Sequence, residues 1–130
     1  MPLYEFKLST DREGMYDITD RVRSAIDKAG VSEGLCIVHC PHTTAGITIN
    51  ENADPDVQYD FLKGMARAFP DDPSFRHSEG NSAAHLKSSC VGPSQTVIID
   101  DRRPVLGTWQ GIYFCEFDGP RHRRFLVSVQ

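Results

Sequence analysis

Between Gly34 and Pro41 the chain reads Leu35-Cys36-Ile37-Val38-His39-Cys40, a run in which only His39 is not apolar. A run this short and this apolar predicts a strand hidden on both faces, central in its sheet, with further layers to cover it. Pro41 has no amide hydrogen to give a ladder and should end the strand. His42-Thr43-Thr44-Ala45 then reads as a turn, and 46–50 alternates cleanly, so the two runs predict a hairpin.

The remaining chain supplies covering elements. Residues 3–8 read as a half-buried strand, and Val22, Ala25, Ile26 and Ala29 recur at helical spacing after Asp17 or Thr19, either of which can cap, until Gly30. Asp54-Pro55 is a helix start, with an acceptor side chain at the cap and proline at the first helical position, for a helix reaching about Phe69. A short helix over 83–90 closes at Gly92-Pro93, and strands follow over 95–100, 110–117 and 124–129, the last two joined by Asp118-Gly119-Pro120 as a hairpin. Three helices and about six strands joined by tight turns predict an α+β fold with a mainly antiparallel sheet, one domain over 1–130.

Charge narrows the partners. A net charge of −4 argues against a nucleic-acid binder, which needs a basic excess. No apolar run approaches the ~20 residues of a membrane span. The start, MPLYEFKLSTDRE, lacks the basic opening and apolar centre of a secretory signal, which makes the cytoplasm the expected compartment. Cys36, Cys40, Cys90 and Cys115 form no CxxC pair and read as buried free thiols.

Candidate chemistry gathers in three places. The stretch HSEGNSAAHLK, 77–87, holds two of the five histidines. On one unbroken helix His77 and His85 would stand ~12 Å apart along the axis, but Gly80-Asn81 favours a break, with Asn81 or Ser82 capping the helix that carries His85. His42, past the buried strand, would supply a third imidazole, and three imidazoles can hold a divalent cation with an open position; a packed His85 beside a solvated His77 explains the pair without any ligand. The second place is Asn50-Glu51-Asn52, where Glu51 either points inward as a general acid or base or sits at the strand end in water; Asp54 reads as a cap. The third is Gly107-Thr108-Trp109-Gln110-Gly111, where glycines around the single tryptophan fit close approach to a ligand or a plain bulge. Arg121, Arg123 and Arg124 either hold phosphate or guard a strand edge, with Lys87 and Arg103 as other phosphate candidates.

The segments 42–52, 77–85 and 106–112, with the closing Cys115-Glu116-Phe117-Asp118-Gly119-Pro120-Arg121, together resemble the YjbQ family of small bacterial and archaeal proteins across nearly the whole chain. The resemblance implies a compact α+β fold, a homotrimer, and a polar pocket near a subunit boundary lined by the histidines and the Asn-Glu-Asn segment. It also implies a weak thiamine-phosphate synthase activity, joining a pyrimidine methyl pyrophosphate to a thiazole phosphate. On that reading His42, His77 and His85 bind zinc or magnesium, and Glu51, His42 and Asn81 serve catalysis. Asn50, Asn52, Ser82, Trp109 and Gln110 contact a small phosphorylated metabolite. The alternatives are metal-dependent hydrolysis of a phosphate ester or amide, and a trimeric metabolite-binding module without turnover.

Overall fold

The structure, a computed structural model, describes residues 2–130. In chain order it contains β1 (Leu3–Thr10), β2 (Gly14–Asp17), α1 (Thr19–Ala29), β3 (Gly34–His39), β4 (Ala45–Glu51), α2 (Pro55–Ala68), α3 (Ser82–Val91), β5 (Ser94–Asp100), β6 (Arg103–Pro104), β7 (Gln110–Glu116) and β8 (Arg121–Val129). The strands form two antiparallel sheets, one of five strands in the order β1-β8-β3-β5-β6 and one of three in the order β2-β7-β4. The fold is therefore α+β and mainly antiparallel.

Period-two burial decides how the sheets meet. Cys36, Val38, Val97, Phe125 and Val127 of the larger sheet share one buried cluster with Ile47, Ile112 and Phe114 of the smaller, and Val22, Ala25 and Ile26 of α1 complete it. α1 ends where Gly30 takes the left-handed conformation at φ 68°. The other face of the smaller sheet presents Tyr113 and Cys115, which pack with Phe117, Ala84 of α3 and Phe61 of α2. α2 is capped by Asp54, whose side chain accepts from the Asp56 amide at 2.9 Å, yet it buries none of its residues.

Three sequence expectations change. β3 is central, flanked by β5 and β8, but it is hidden on one face only, because Leu35 is 40% exposed and its cross-strand partner Ile98 60% exposed on the outer face of the larger sheet. Neither predicted hairpin forms: β3 and β4 belong to different sheets, and so do β7 and β8. The physical reason is that both faces of a hairpin would lie in one layer, whereas the apolar faces of these strands are buried against each other across the core. The two short crossings, 40–44 and 117–120, run side by side, tied by the Phe117 amide donating to the Thr44 carbonyl at 3.1 Å. A pocket opens at these crossings.

Candidate functional site

The floor of the pocket is a buried ion pair. Inward positions of β8 alternate through Arg123, Phe125 and Val127, so the same period that buries two apolar side chains buries a guanidinium. Glu116, the last residue of β7, meets it without any exposed surface. Arg123 Nε donates to Glu116 Oε1 at 2.7 Å and its Nη2 to Thr44 Oγ1 at 2.8 Å, while the Thr10 hydroxyl and the Asp118 amide donate to the two Glu116 oxygens at 2.7 and 3.0 Å. Burial alone would raise the Glu116 pKa; the hydrogen bonds from Arg123, Asp118 and Thr10 outweigh it and hold the carboxyl below its ordinary value.

Above this floor stand the imidazoles. His42 Nε2 lies 3.0 Å from the Arg124 amide nitrogen and 3.1 Å from the Arg124 carbonyl oxygen, so this ring nitrogen is engaged by the β8 backbone. Burial, then the Arg123 charge, lowers the His42 pKa. α3 sets His85: Ser88 Oγ donates to the Ala45 carbonyl at 2.7 Å and the Ile47 amide to the Gly92 carbonyl at 3.0 Å. That contact needs Gly46, because a Cβ there would come within 2.8 Å of the Gly92 oxygen. His77 comes back toward His85 through the turn at Gly80, φ 77°, whose amide donates to the His77 carbonyl at 3.1 Å. The two rings lie edge to face with centroids 5.3 Å apart. Asn81 Nδ2 donates to Glu79 Oε2 at 2.9 Å and to Asp118 Oδ2 at 2.7 Å, and Arg121 Nη2 reaches the same two oxygens at 3.0 and 2.8 Å. Burial would raise the Asp118 pKa, but Asn81 and Arg121 together lower it. The resulting space is about 480 Å³, and its lining includes His42, Thr43, His77, Asn81, His85 and Arg121.

The expected three-histidine cation set does not form. His77 and His85 are neighbours, but the Nε2 of His42 is turned to the backbone of Arg124. Among the described residues no group of three His, Cys, Asp or Glu side chains is arranged to hold a metal ion.

The structure does not bring the second and third candidate places to this pocket. Glu51 pairs with Gln110 at one end of the β4–β7 ladder, Ala45 with Glu116 at the other, which separates them by roughly 20 Å of extended strand. At that far end each polar side chain has local work. Glu51 Oε2 accepts the Asp54 amide at 3.2 Å, Asn50 Oδ1 accepts the Glu51 amide at 2.8 Å, and Gln110 Oε1 accepts the Gly107 amide at 2.8 Å. Asn52 packs over Gly111 and reaches Asp17 at 3.4 Å, and Trp109 is 62% exposed. Ser82 opens α3 and lines a smaller hollow of about 230 Å³ with His77 and Gly80. Of the phosphate candidates, Lys87 is buried against Glu13 at 3.6 Å and Arg103 lies at the far hairpin of β5 and β6, 4.0 Å from Asp101.

The sequence reading missed Glu79, Thr43, Asp118 and the Glu116–Arg123 pair as parts of the site. A signal existed for the pair, since Glu116 interrupts the apolar run 112–117 and Arg123 falls on the inward period of its strand. No local pattern marks Glu79 or Asp118, which acquire their role from a contact between 79 and 121.

A family model described as UPF0047 protein YjbQ-like matches residues 4–130. The chain belongs to the YjbQ/UPF0047 family. A YjbQ/UPF0047 relative from Bacillus subtilis is 56% identical over 122 residues, covering 93% of this chain and 92% of its own, and one from Methanocaldococcus jannaschii is 52% identical over 128 residues, covering 98% and 93%. A crystal structure of a family member from Clostridium acetobutylicum superimposes with a TM-score of 0.96 at 52% identity, covering 98% of this chain and 99% of that one. One from Sulfolobus solfataricus gives 0.94 at 30% identity, covering 98% and 95%.

The family corrects the functional expectation. The Clostridium protein is described as uncharacterized and the Sulfolobus protein as of unknown function, so membership brings no thiamine-phosphate synthase activity with it. With the three-imidazole cation set unformed, the metal-dependent hydrolase loses its centre, and Gln110, with Trp109 before it, stands at the far end of the β4–β7 ladder from the histidines that a metabolite-binding module would have combined with them.

Proposed function

We propose that this YjbQ/UPF0047 protein catalyses proton transfer on a small polar metabolite, with His77 and His85 as the acid–base pair. One observation carries the reading: two imidazoles 5.3 Å apart share the wall of a polar cavity of about 480 Å³. Histidine is the side chain whose ordinary titration range straddles neutral pH, and two of them side by side can give and take protons on one substrate. The cavity volume suits a metabolite, falling within the common range of ligand sites. Arg121 is already bridged to Glu79 and Asp118, so at this lip it orients rather than draws in an anion. Proton transfer of this kind needs no bound cation.

Self-association belongs to the same reading. The homotrimer implied by the resemblance is supported by α2, which buries no residue in the single chain, and by Tyr59 and Trp109 at 64% and 62% exposure.

The test is solvent exchange. Small hydroxylated and phosphorylated metabolites are incubated with the protein in deuterium oxide, with a chelator present, and deuterium entry at carbon is followed by proton NMR. The expected result is exchange into one class of compound, slowed ~100-fold or more in His85→Ala, the scale of a lost general acid or base. Equal exchange in wild type and His85→Ala, or none with any compound, would sink the assignment.

A further inference from the structure

A second cavity backs onto the first, on the outer face of the larger sheet. Its volume is about 520 Å³, and its lining includes Lys7, Ser9, His122 and Arg124 from the paired strands β1 and β8, with His42 and Arg123 as the wall it shares with the histidine pocket. The antiparallel register places Lys7 directly opposite Arg124 and Ser9 directly opposite His122. All four point outward, because Leu8, Phe6 and Arg123 occupy the inward alternation.

This placement carries a cost that the fold does not offset. Like charges opposite one another on one face of a sheet repel, with side-chain bases only about 5 Å apart. One carboxylate faces the pair, Glu5, and it reaches Arg124 at a long 3.5 Å with both groups about half exposed. Among the described residues Lys7 has no ion-pair partner. A further cation adds to the local potential rather than relieving it: Arg21 Nη1 donates to the Lys7 carbonyl at 2.7 Å. In a chain of net charge −4, this is a local positive excess.

The donors are also held in place. His42 grips the Arg124 backbone at 3.0 Å. Ser9 Oγ lies 3.1 Å from His122 Nδ1, and with the serine hydroxyl donating, the ring proton sits on Nε2, the nitrogen left for the cavity. An ammonium, a guanidinium and an imidazole N–H then stand on neighbouring positions, spaced about 5 Å across the strands and about 7 Å along them.

We infer that this cavity is a binding site for a phosphoryl dianion, with Lys7 and Arg124 as its charge donors and the His122 Nε2–H, oriented by Ser9, as its further hydrogen-bond donor. The inference does not depend on proton transfer at His77 and His85. A phosphoryl group presents three oxygens to the ammonium, the guanidinium and the imidazole N–H, and its charge cancels the repulsion between Lys7 and Arg124. The dianion is either free phosphate or the phosphate of a monoester.

Calorimetric titration of the whole protein with inorganic phosphate and with glycerol phosphate, at low ionic strength, tests it. Saturable binding is expected for at least one, with the tighter of the two identifying the source. The double variant Lys7→Ala/Arg124→Ala should weaken it by about tenfold or more, the loss of at least one charge-assisted hydrogen bond. Lys7→Gln, which keeps the side-chain length, should give a smaller loss with an unchanged melting curve. His85→Ala should leave phosphate binding intact, which separates failure here from failure of the proton-transfer reading. No saturable heat, retention of affinity in the double variant, or equal response to chloride at matched ionic strength would overturn the site.

Discussion

The two ends of the β4–β7 ladder carry comparable numbers of polar side chains and put them to opposite uses. At the Ala45–Glu116 end, charge is buried: Glu116 has no exposed surface and finds partners from three different segments of the chain, and Arg123, 7% exposed, finds them from two. At the Glu51–Gln110 end, polar groups serve backbone close by in sequence, as Glu51 does for Asp54, Gln110 for Gly107 and Asn50 for Glu51. The difference teaches where chemistry can be built. Long-range partners hold side chains in fixed positions around a cavity, whereas short-range partners finish a strand or start a helix.

The largest expected effect breaks the buried end. Glu116→Gln leaves the Arg123 guanidinium without its countercharge and should cost about 3–5 kcal/mol in urea unfolding, the scale of an unpaired buried ion. A loss under 1 kcal/mol would show that water reaches the floor. The pH dependence has a definite sign. The Glu116 pKa is depressed in the folded state, so its contribution is fully present above the unfolded carboxyl value and is lost as pH falls through the folded one. Wild type should therefore lose stability in the acid range below an ordinary glutamate titration, and the variant should show less of that slope.

At the far end the effects shrink. Asp54→Ala removes the cap accepting from Asp56 and should cost about 1 kcal/mol. Because α2 has no fully buried residue, local fraying of that helix, seen as faster amide exchange, should accompany the loss. The smallest effect is expected from Trp109→Ala, within about 0.5 kcal/mol for an exposed side chain. A larger loss, together with a lower mass for the variant than for the wild type in light scattering, would mean that the far end is covered in solution and would narrow the contrast between the two ends.

Much of the fold is legible residue by residue. Val22, Ala25 and Ile26 declare α1, Asp54-Pro55 declares the start of α2, and Gly80-Asn81 declares the break that returns His77 to His85. The misreadings share one cause. Pro41 and Asp118-Gly119-Pro120 look like hairpin turns because a turn's sequence records its local geometry and not which layer the next strand joins. β2 went unread because four residues, Gly14–Asp17, carry too little alternation to declare a strand without their partner β7.

The sequence by itself determined the three helices, most of the strands, the Asp54 cap and the family, since propensity, periodicity and motif order are properties of neighbouring residues. Only the tertiary structure decided that His42 turns its Nε2 to the Arg124 backbone, that Glu116 meets Arg123 beneath the pocket, and that Glu51 lies away from the imidazoles. Those relations join residues far apart along the chain, and they are set by which apolar faces bury each other, a choice made by the whole core at once.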